Sequence, residues 1–258
     1  MTIPKEIEAI IQKSGNSFHS KAAQALSTAG WKIRVSPFYM DQSLNKPREI
    51  DIIAEKAYSI TSTLGTPSGH VVVRLFIECK FIPAHTVFWM TEKELESAKE
   101  LVHKTSIFNL NNTYCAKHHY LSGTSKVAKV FASESQRETE NDPFFKALNQ
   151  TLNGYVALRH QSSYIGRSAE SRIHEIARLS YPVILCSSFE KIYGIPFYEN
   201  SSPYNVSENF QLEAQYAYST NGVSLDEYFL VDVVDFNHIE AFLDSIKTDA
   251  ELAGFFKT

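Results

Sequence analysis

Hydrophobic positions in the first third of the chain follow a helical period and then a strand period. Apolar residues recur at three- and four-residue steps over Asn16–Ala29, which predicts an amphipathic helix stopped by Gly30. Apolar and basic residues alternate over Trp31–Ser36, which predicts a half-buried strand. Arg48–Glu55 and Val71–Phe81 predict two more strands, and the Gly- and Pro-rich loop between them predicts an antiparallel pair.

The pattern beyond residue 90 predicts three further helices and four further strands. Thr91 followed by Glu94 is a capping box, which predicts a helix from Thr91 to His103. Lys126–Phe131 predicts a strand, and Asp142–His160, opened by a proline, predicts a helix. Apolar patterns near the end predict three strands and a helix: Tyr181–Ser187, Phe210–Tyr218, Tyr228–Val234 and His238–Ile246. This order predicts an α/β fold with a central mixed sheet flanked by helices.

Composition is that of a globular protein, with 43% hydrophobic and 21% charged residues among 258. The sequence has no apolar run of about 18 residues, so it predicts no transmembrane helix. Glu6 and Glu8 stand where a signal peptide would be apolar. Cys79, Cys115 and Cys186 are too few and too scattered for a disulfide framework. We therefore expect a cytoplasmic protein with reduced thiols and no membrane partner.

Charge is distributed unevenly along the chain. Residues 1–130 carry a net charge of +5 and residues 190–258 a net charge of −9, within a total of −4. This asymmetry favours a polyanionic partner for the basic part of the chain.

Two of the predicted strands carry charged residues among apolar neighbours. Side chains two residues apart on a strand share a face, so Glu78 and Lys80 project together. Asp51 and Glu49 share one face of the preceding strand in the same way. If the two strands pair, Asp51 and Glu78 converge with Lys80 beside them. The alternative is a set of ion pairs on a solvent-facing sheet, because a Glu-x-Lys spacing alone is common.

Converging carboxylates at the edge of a core favour a divalent metal site. Two carboxylates about 5 Å apart repel by about 3 kcal/mol at an effective dielectric constant of about 20. Lys80 offsets one charge, and a hard cation such as Mg²⁺ prefers oxygen ligands. A metal on Asp51 and Glu78 with an ammonium beside the bound water is suited to phosphodiester hydrolysis.

The segments that carry this pattern are Gly15–Leu26, Ala29–Trp31, Glu49–Ala54 and Phe76–Lys80. Through them the chain resembles the PD-(D/E)XK nuclease superfamily, and within it the Mrr-type restriction endonucleases and the archaeal Holliday-junction resolvases. The resemblance extends from Gly15 to about Phe131. It implies a restriction-endonuclease-like αβββαβ core and a DNA endonuclease of restriction, phage defence or repair. It also implies Mg²⁺ as cofactor, with Mn²⁺ as a substitute.

The resemblance also assigns roles to residues of this chain. It implies that Asp51, Glu78 and the main-chain carbonyl of Cys79 are metal ligands and that Lys80 orients the water. His19 stands where many relatives have a glutamate near a second metal, which leaves the number of metal ions open. Glu49 and Glu8 are the candidates to supply that carboxylate.

Relatives pass the DNA backbone along the first helix, which predicts contacts there and at one later basic cluster. The expected nucleic-acid contacts are Lys13, His19, Lys21, Arg34 and Arg48, with Arg159, Arg167 and Arg172 as the second cluster.

The domain organisation predicted with this resemblance has two parts. Residues 1–135 form the nuclease core, and residues 136–258 form an α+β extension that packs on the core and is acidic at its C-terminal end. A homodimer is a further expectation, since two-fold symmetry suits cleavage of both strands of a duplex. The alternative function is a catalytically inactive nuclease-fold subunit that binds nucleic acid or a protein partner.

Overall fold

The computed structural model describes residues 7, 11, 15–41, 46–61, 65–106, 115–123, 125–134, 142–165, 174–198, 201–220 and 222–257. The helices in this part of the chain are α1 (Asn16–Thr28), α2 (Leu95–Thr105), α3 (His119–Ser122), α4 (Pro143–Leu158) and α5 (Ile239–Lys257). The strands are β1 (Lys32–Val35), β2 (Phe38–Asp41), β3 (Lys46–Glu49), β4 (Ile52–Thr61), β5 (Pro67–Lys80), β6 (Thr86–Glu92), β7 (Lys126–Ser133), β8 (Glu175–Cys186), β9 (Ile192–Pro196), β10 (Tyr204–Asn205), β11 (Phe210–Thr220) and β12 (Val223–Asp235).

Most of these strands form one mixed sheet in the order β1-β4-β5-β8-β12-β11-β7-β6-β9-β10, and β2 and β3 form a separate hairpin. β5 runs antiparallel to β4 and parallel to β8, which is parallel to β12. β5 has an unbroken buried run from Val71 to Cys79. Such a run is typical of a strand with both faces covered.

The two faces of the sheet have separate cores. On one face α1 and α5 pack against β5, whose odd-numbered residues such as Leu75 and Ile77 belong to this core, and α2 packs against β12. On the other face α4 and the β2–β3 hairpin cover the even-numbered Phe76. Glu78 and Lys80 share the parity of Phe76, so the pleat directs them to the α4 face.

Several predictions from the sequence pattern are confirmed. The fold is α/β with a large mixed sheet flanked by helices, and the first helix lies over Asn16–Thr28. The predicted antiparallel pair is β4 with β5, in which Ile52 lies opposite Ile77. The described part of the chain contains no helix with the length and hydropathy needed to span a membrane.

The predicted strand Arg48–Glu55 is wrong as one element, because the chain breaks at Ile50 and Asp51. β3 pairs with β2 before the break, and β4 pairs with β1 and β5 after it. The Ile50 N–H donates to the Pro37 carbonyl at 3.3 Å, which connects the break to the start of the hairpin. A change of pairing partner therefore divides a segment whose local pattern is continuous.

The predicted helix start at Thr91 is also wrong. Thr91 belongs to β6, which pairs with β7 and β9, and the helix begins at Leu95 after Glu94. Pairing on both sides of β6 overrides the local capping pattern.

In the sheet β5 lies between β4 and β8. The predicted strand Lys126–Phe131 lies in β7, which pairs with β6 and β11 and is not a neighbour of β5. The helix that packs across β5 and β8 is α4. β8, β11 and β12 lie between β5 and β7 in the sheet. Residues 1–135 and 136–258 therefore contribute interleaved strands to a single sheet.

Candidate active site

Asp51 lies at the bend between β3 and β4, where the chain leaves the hairpin and enters the large sheet. Its carbonyl accepts a hydrogen bond of 2.8 Å from the Ser36 N–H, and Ser36 itself has a φ of 51°. The Asp51 side chain turns towards β5, where Oδ2 accepts a 2.8 Å hydrogen bond from the Cys79 N–H. This bond places the Asp51 carboxylate directly beside the segment that carries Glu78 and Lys80.

Glu78 and Lys80 form an ion pair at the end of β5. Lys80 Nζ donates to Glu78 Oε1 at 2.9 Å, and the Glu78 side chain is only 2% exposed. Glu78 Oε2 is buried and has no hydrogen-bond partner among the described residues. A buried carboxylate oxygen without a partner is costly, so this atom is positioned for a ligand.

The environment of Glu78 favours its protonated form. Burial raises the pKa of Glu78 to about 7; the charge of Lys80 opposes this effect, and the charge of Asp51 adds to it. The ionised form has an unfavourable environment until a further positive charge is present. A cation bound beside Glu78 would lower this pKa again, because it stabilises the ionised form.

Cys79 and His19 complete the surroundings of Asp51. His19 Nε2 lies 3.4 Å from Asp51 Oδ2. Potential ligand atoms of His19, Asp51 and Cys79 all lie within 4.8 Å of one another. Burial, with the charges of Asp51 and Glu78, raises the pKa of the Cys79 thiol, which keeps the sulfur protonated. A hard cation here would accordingly take oxygen atoms in preference to this sulfur.

The residues present fit a hard divalent cation. Glu78 Oε2 offers a desolvated oxygen, Asp51 supplies a second carboxylate fixed by a backbone hydrogen bond, and Lys80 already neutralises the other Glu78 oxygen. Carboxylate oxygens in this number suit Mg²⁺ and Mn²⁺. The participation of the Cys79 carbonyl stays a prediction.

The β2–β3 hairpin buries Tyr39 in the core on the α4 face of the sheet, a position that the sequence pattern does not indicate. The Tyr39 hydroxyl is buried without a hydrogen-bond partner among the described residues. Burial, and then the charge of Asp41, raise its pKa, and the charge of Glu78 contributes as well. No local pattern indicates this placement, because the apolar Phe38 and Met40 are exposed while Tyr39 and Asp41 are buried.

Other residues predicted near the metal or the DNA have different surroundings. Glu49 is half-buried at the end of β3 opposite Phe38, so the hairpin rather than β4 carries it. Arg48 Nε lies 2.6 Å from Asp41 Oδ2 and joins β3 to β2. Glu8, Lys13, Arg167 and Arg172 lie outside the described residues.

The remaining predicted DNA contacts are basic side chains packed over aromatic rings. Lys21 Nζ lies 4.8 Å from the ring centroid of Phe236, and the Arg34 guanidinium lies 5.3 Å from that of Tyr164. Arg159 is largely buried, with its guanidinium 2.7 Å from Glu227 Oε2. Arg159 therefore has a structural partner, whereas Lys21 is exposed and Arg34 is half-buried.

No family model, curated protein or solved structure matches this chain.

Proposed function

We propose that this protein is a metal-dependent DNA endonuclease that hydrolyses phosphodiester bonds. The observation that carries the proposal is the hydrogen bond from the Cys79 N–H to Asp51 Oδ2, since it joins the aspartate to the Glu78–Lys80 segment. Restriction, phage defence and DNA repair are the processes that fit such an enzyme.

The order of elements supports a restriction-endonuclease-like core. With the β2–β3 hairpin taken as an insertion between β1 and β4, the elements α1, β1, β4, β5, the crossover helix α4 and the parallel strand β8 follow the αβββαβ order. In this proposal the segment between β5 and α4 is an insertion that adds β6, α2, α3 and β7 to the core.

Each side chain has a separate task in the proposed reaction. Asp51 and Glu78 would hold Mg²⁺, which when bound supplies Lewis acidity and a water of lowered pKa. Lys80 Nζ lies 2.9 Å from Glu78 Oε1 and in this proposal would orient the attacking water and stabilise developing negative charge. Burial of Glu78 keeps bulk water away from its oxygens and strengthens these electrostatic interactions.

Cleavage of supercoiled plasmid, linear duplex and single-stranded DNA, with Mg²⁺, Mn²⁺ or EDTA, tests the proposal. Asp51→Asn, Glu78→Gln and Lys80→Met should each reduce the cleavage rate by about 100-fold or more. The matched control is another carboxylate–lysine pair in the sheet, Glu213 on β11 and Lys129 on β7, whose charged atoms lie 2.8 Å apart. Glu213→Gln and Lys129→Met should cut at the wild-type rate.

Equal rates for the wild type and all three site variants would contradict the proposal. DNA binding without cleavage under every metal condition would instead favour the alternative of an inactive nuclease-fold subunit. A salt series separates this outcome from a protein without DNA affinity, because binding that neutralises phosphates weakens steeply with salt.

A further inference from the structure

A second group of metal-ligating side chains lines a cavity of about 480 Å³ between α3, α5 and the start of β11. Its walls include His119 of α3, Glu208 before β11, Asp232 of β12 and His238 before α5. The described lining residues include neither lysine nor arginine. This charge distribution disfavours a phosphate or another anion and favours a cation.

His119 is held by carboxylates on both ring nitrogens. Nε2 lies 3.2 and 3.3 Å from the two oxygens of Asp232, and Nδ1 lies 2.6 Å from Asp249 Oδ2. Asp249 also accepts the His119 backbone N–H at 3.0 Å and the Tyr181 hydroxyl at 3.0 Å. A buried carboxylate that fixes Nδ1 of a histidine is the usual outer partner of a histidine that binds metal through Nε2.

Geometry favours the Asp232 side of His119 over the Asp249 side. Two ligands about 2.0–2.1 Å from one tetrahedral ion lie about 3.3 Å apart. His119 Nε2 and Asp232 are hydrogen-bonded at 3.2 and 3.3 Å, a separation that two ligands of one ion could also have, whereas the 2.6 Å between His119 Nδ1 and Asp249 is too short for two such ligands.

His118 lies on the Asp249 side and is also engaged there. Potential ligand atoms of His118, His119 and Asp249 lie within 4.8 Å of one another. However, His118 Nδ1 accepts the Tyr120 N–H at 3.2 Å, so the proton of the neutral ring lies on Nε2. That nitrogen faces Asp249 at 3.4 Å as a donor rather than as a ligand.

We propose that this cavity binds one divalent transition-metal ion of the Zn²⁺ class through His119 Nε2 and Asp232. Glu208 and His238 are exposed on the cavity walls, and their side chains would turn towards His119 Nε2 and Asp232 to complete the coordination. Mixed imidazole and carboxylate ligands suit Zn²⁺ or Co²⁺ better than Mg²⁺, which distinguishes this ion from the one proposed for Asp51 and Glu78. The cavity is larger than an ion, so a coordination position faces solvent.

Titration of Zn²⁺ by calorimetry and of Co²⁺ by absorption spectroscopy tests this site. The background is the Asp51→Asn/Glu78→Gln protein, so that failure of the nuclease proposal does not affect the result. We expect one ion per chain and a weakening of affinity by about 10-fold or more in Asp232→Asn and in His238→Gln. The control is His85→Gln, an exposed histidine 3.1 Å from Glu134, which should bind as the background does.

His238 is exposed, so its variant should fold as the background protein does, and circular dichroism checks this. Absence of saturable Zn²⁺ and Co²⁺ binding would overturn the proposal. Binding that survives Asp232→Asn but is lost in His118→Gln would also overturn it, because the ion would then lie on the Asp249 side.

Discussion

Two buried carboxylates on the α4 face of the sheet differ in how far their charges are compensated within the chain. Glu55 of β4 is 2.8 Å from Arg74 of β5, and its other oxygen accepts the N–H groups of Tyr164 and Ile165 at 2.6 and 2.9 Å. Four residues beyond Arg74 on the same face of β5, Glu78 has Lys80 on one oxygen and no described partner on the other.

The difference separates a structural ion pair from a binding site. Arg74 also donates to the carbonyls of Leu158 and Gln161 at 3.2 and 2.9 Å, so the Glu55–Arg74 pair attaches the end of α4 to the sheet. Every charge in that pair is compensated within the chain. At Glu78 the compensation is partial, and the oxygen left over is what a cation would use.

The largest effect is expected at the structural pair. The Arg74 side chain is only 1% exposed, and Glu55→Gln leaves its guanidinium buried without a counter-charge. We expect the free energy of unfolding to fall by about 3–5 kcal/mol, as measured by urea denaturation. A loss below about 1 kcal/mol would contradict the structural role of the pair.

A pH series should distinguish Glu78 from a satisfied carboxylate. Unfolded Glu78 ionises near 4.5, whereas the native side chain keeps its proton up to a pKa of about 7. Between these values the native state binds more protons, so raising the pH lowers the stability, and the loss is complete above about pH 7. In the wild type, ionisation of Glu78 should lower the free energy of unfolding by about 2–3 kcal/mol between pH 5 and pH 8. Glu78→Gln should abolish this decrease, as measured by denaturation at the two pH values. Parallel curves for the wild type and the variant would refute this expectation.

Bound Mg²⁺ should stabilise the folded protein through the Glu78 and Asp51 carboxylates, and substitution of either should reduce this stabilisation. Saturating Mg²⁺ should raise the stability of the wild type by about 1–3 kcal/mol, by mass action on the native state. Glu78→Gln and Asp51→Asn should lose most of this increment, as measured by thermal unfolding with and without EDTA. An equal increment in the Glu78→Gln protein would place the ion elsewhere.

The smallest effect is expected at a third ion pair, in which the carboxylate is buried and the cation is partly exposed. Glu213 is buried, but its partner Lys129 is one-third exposed and also contacts Glu94 at 2.7 Å. Glu213→Gln should cost about 1 kcal/mol, because Lys129 keeps both a second carboxylate and access to water. A cost as large as that of Glu55→Gln would show that exposure of the cation does not control the penalty.

The sequence by itself determined the fold class and half of the candidate site. Alternating and helical apolar patterns predicted α1, β5, α4 and the final strands, and the first residues of β4. The strand parity of Glu78 and Lys80 placed both on one face of β5, and the hydrogen bond between them confirms that they point together. These features depend on local periodicity, which a single strand or helix expresses without its neighbours.

Tertiary structure alone decided which distant residues meet. Asp51 reaches Cys79 because the chain changes pairing partner at a bend that its continuous apolar pattern conceals. The β2–β3 hairpin buries Tyr39 on the α4 face of the sheet, and β5 lies between β4 and β8 rather than beside β7. His119 meets Asp232 and Asp249 across more than a hundred residues, and no local pattern encodes a contact of that range.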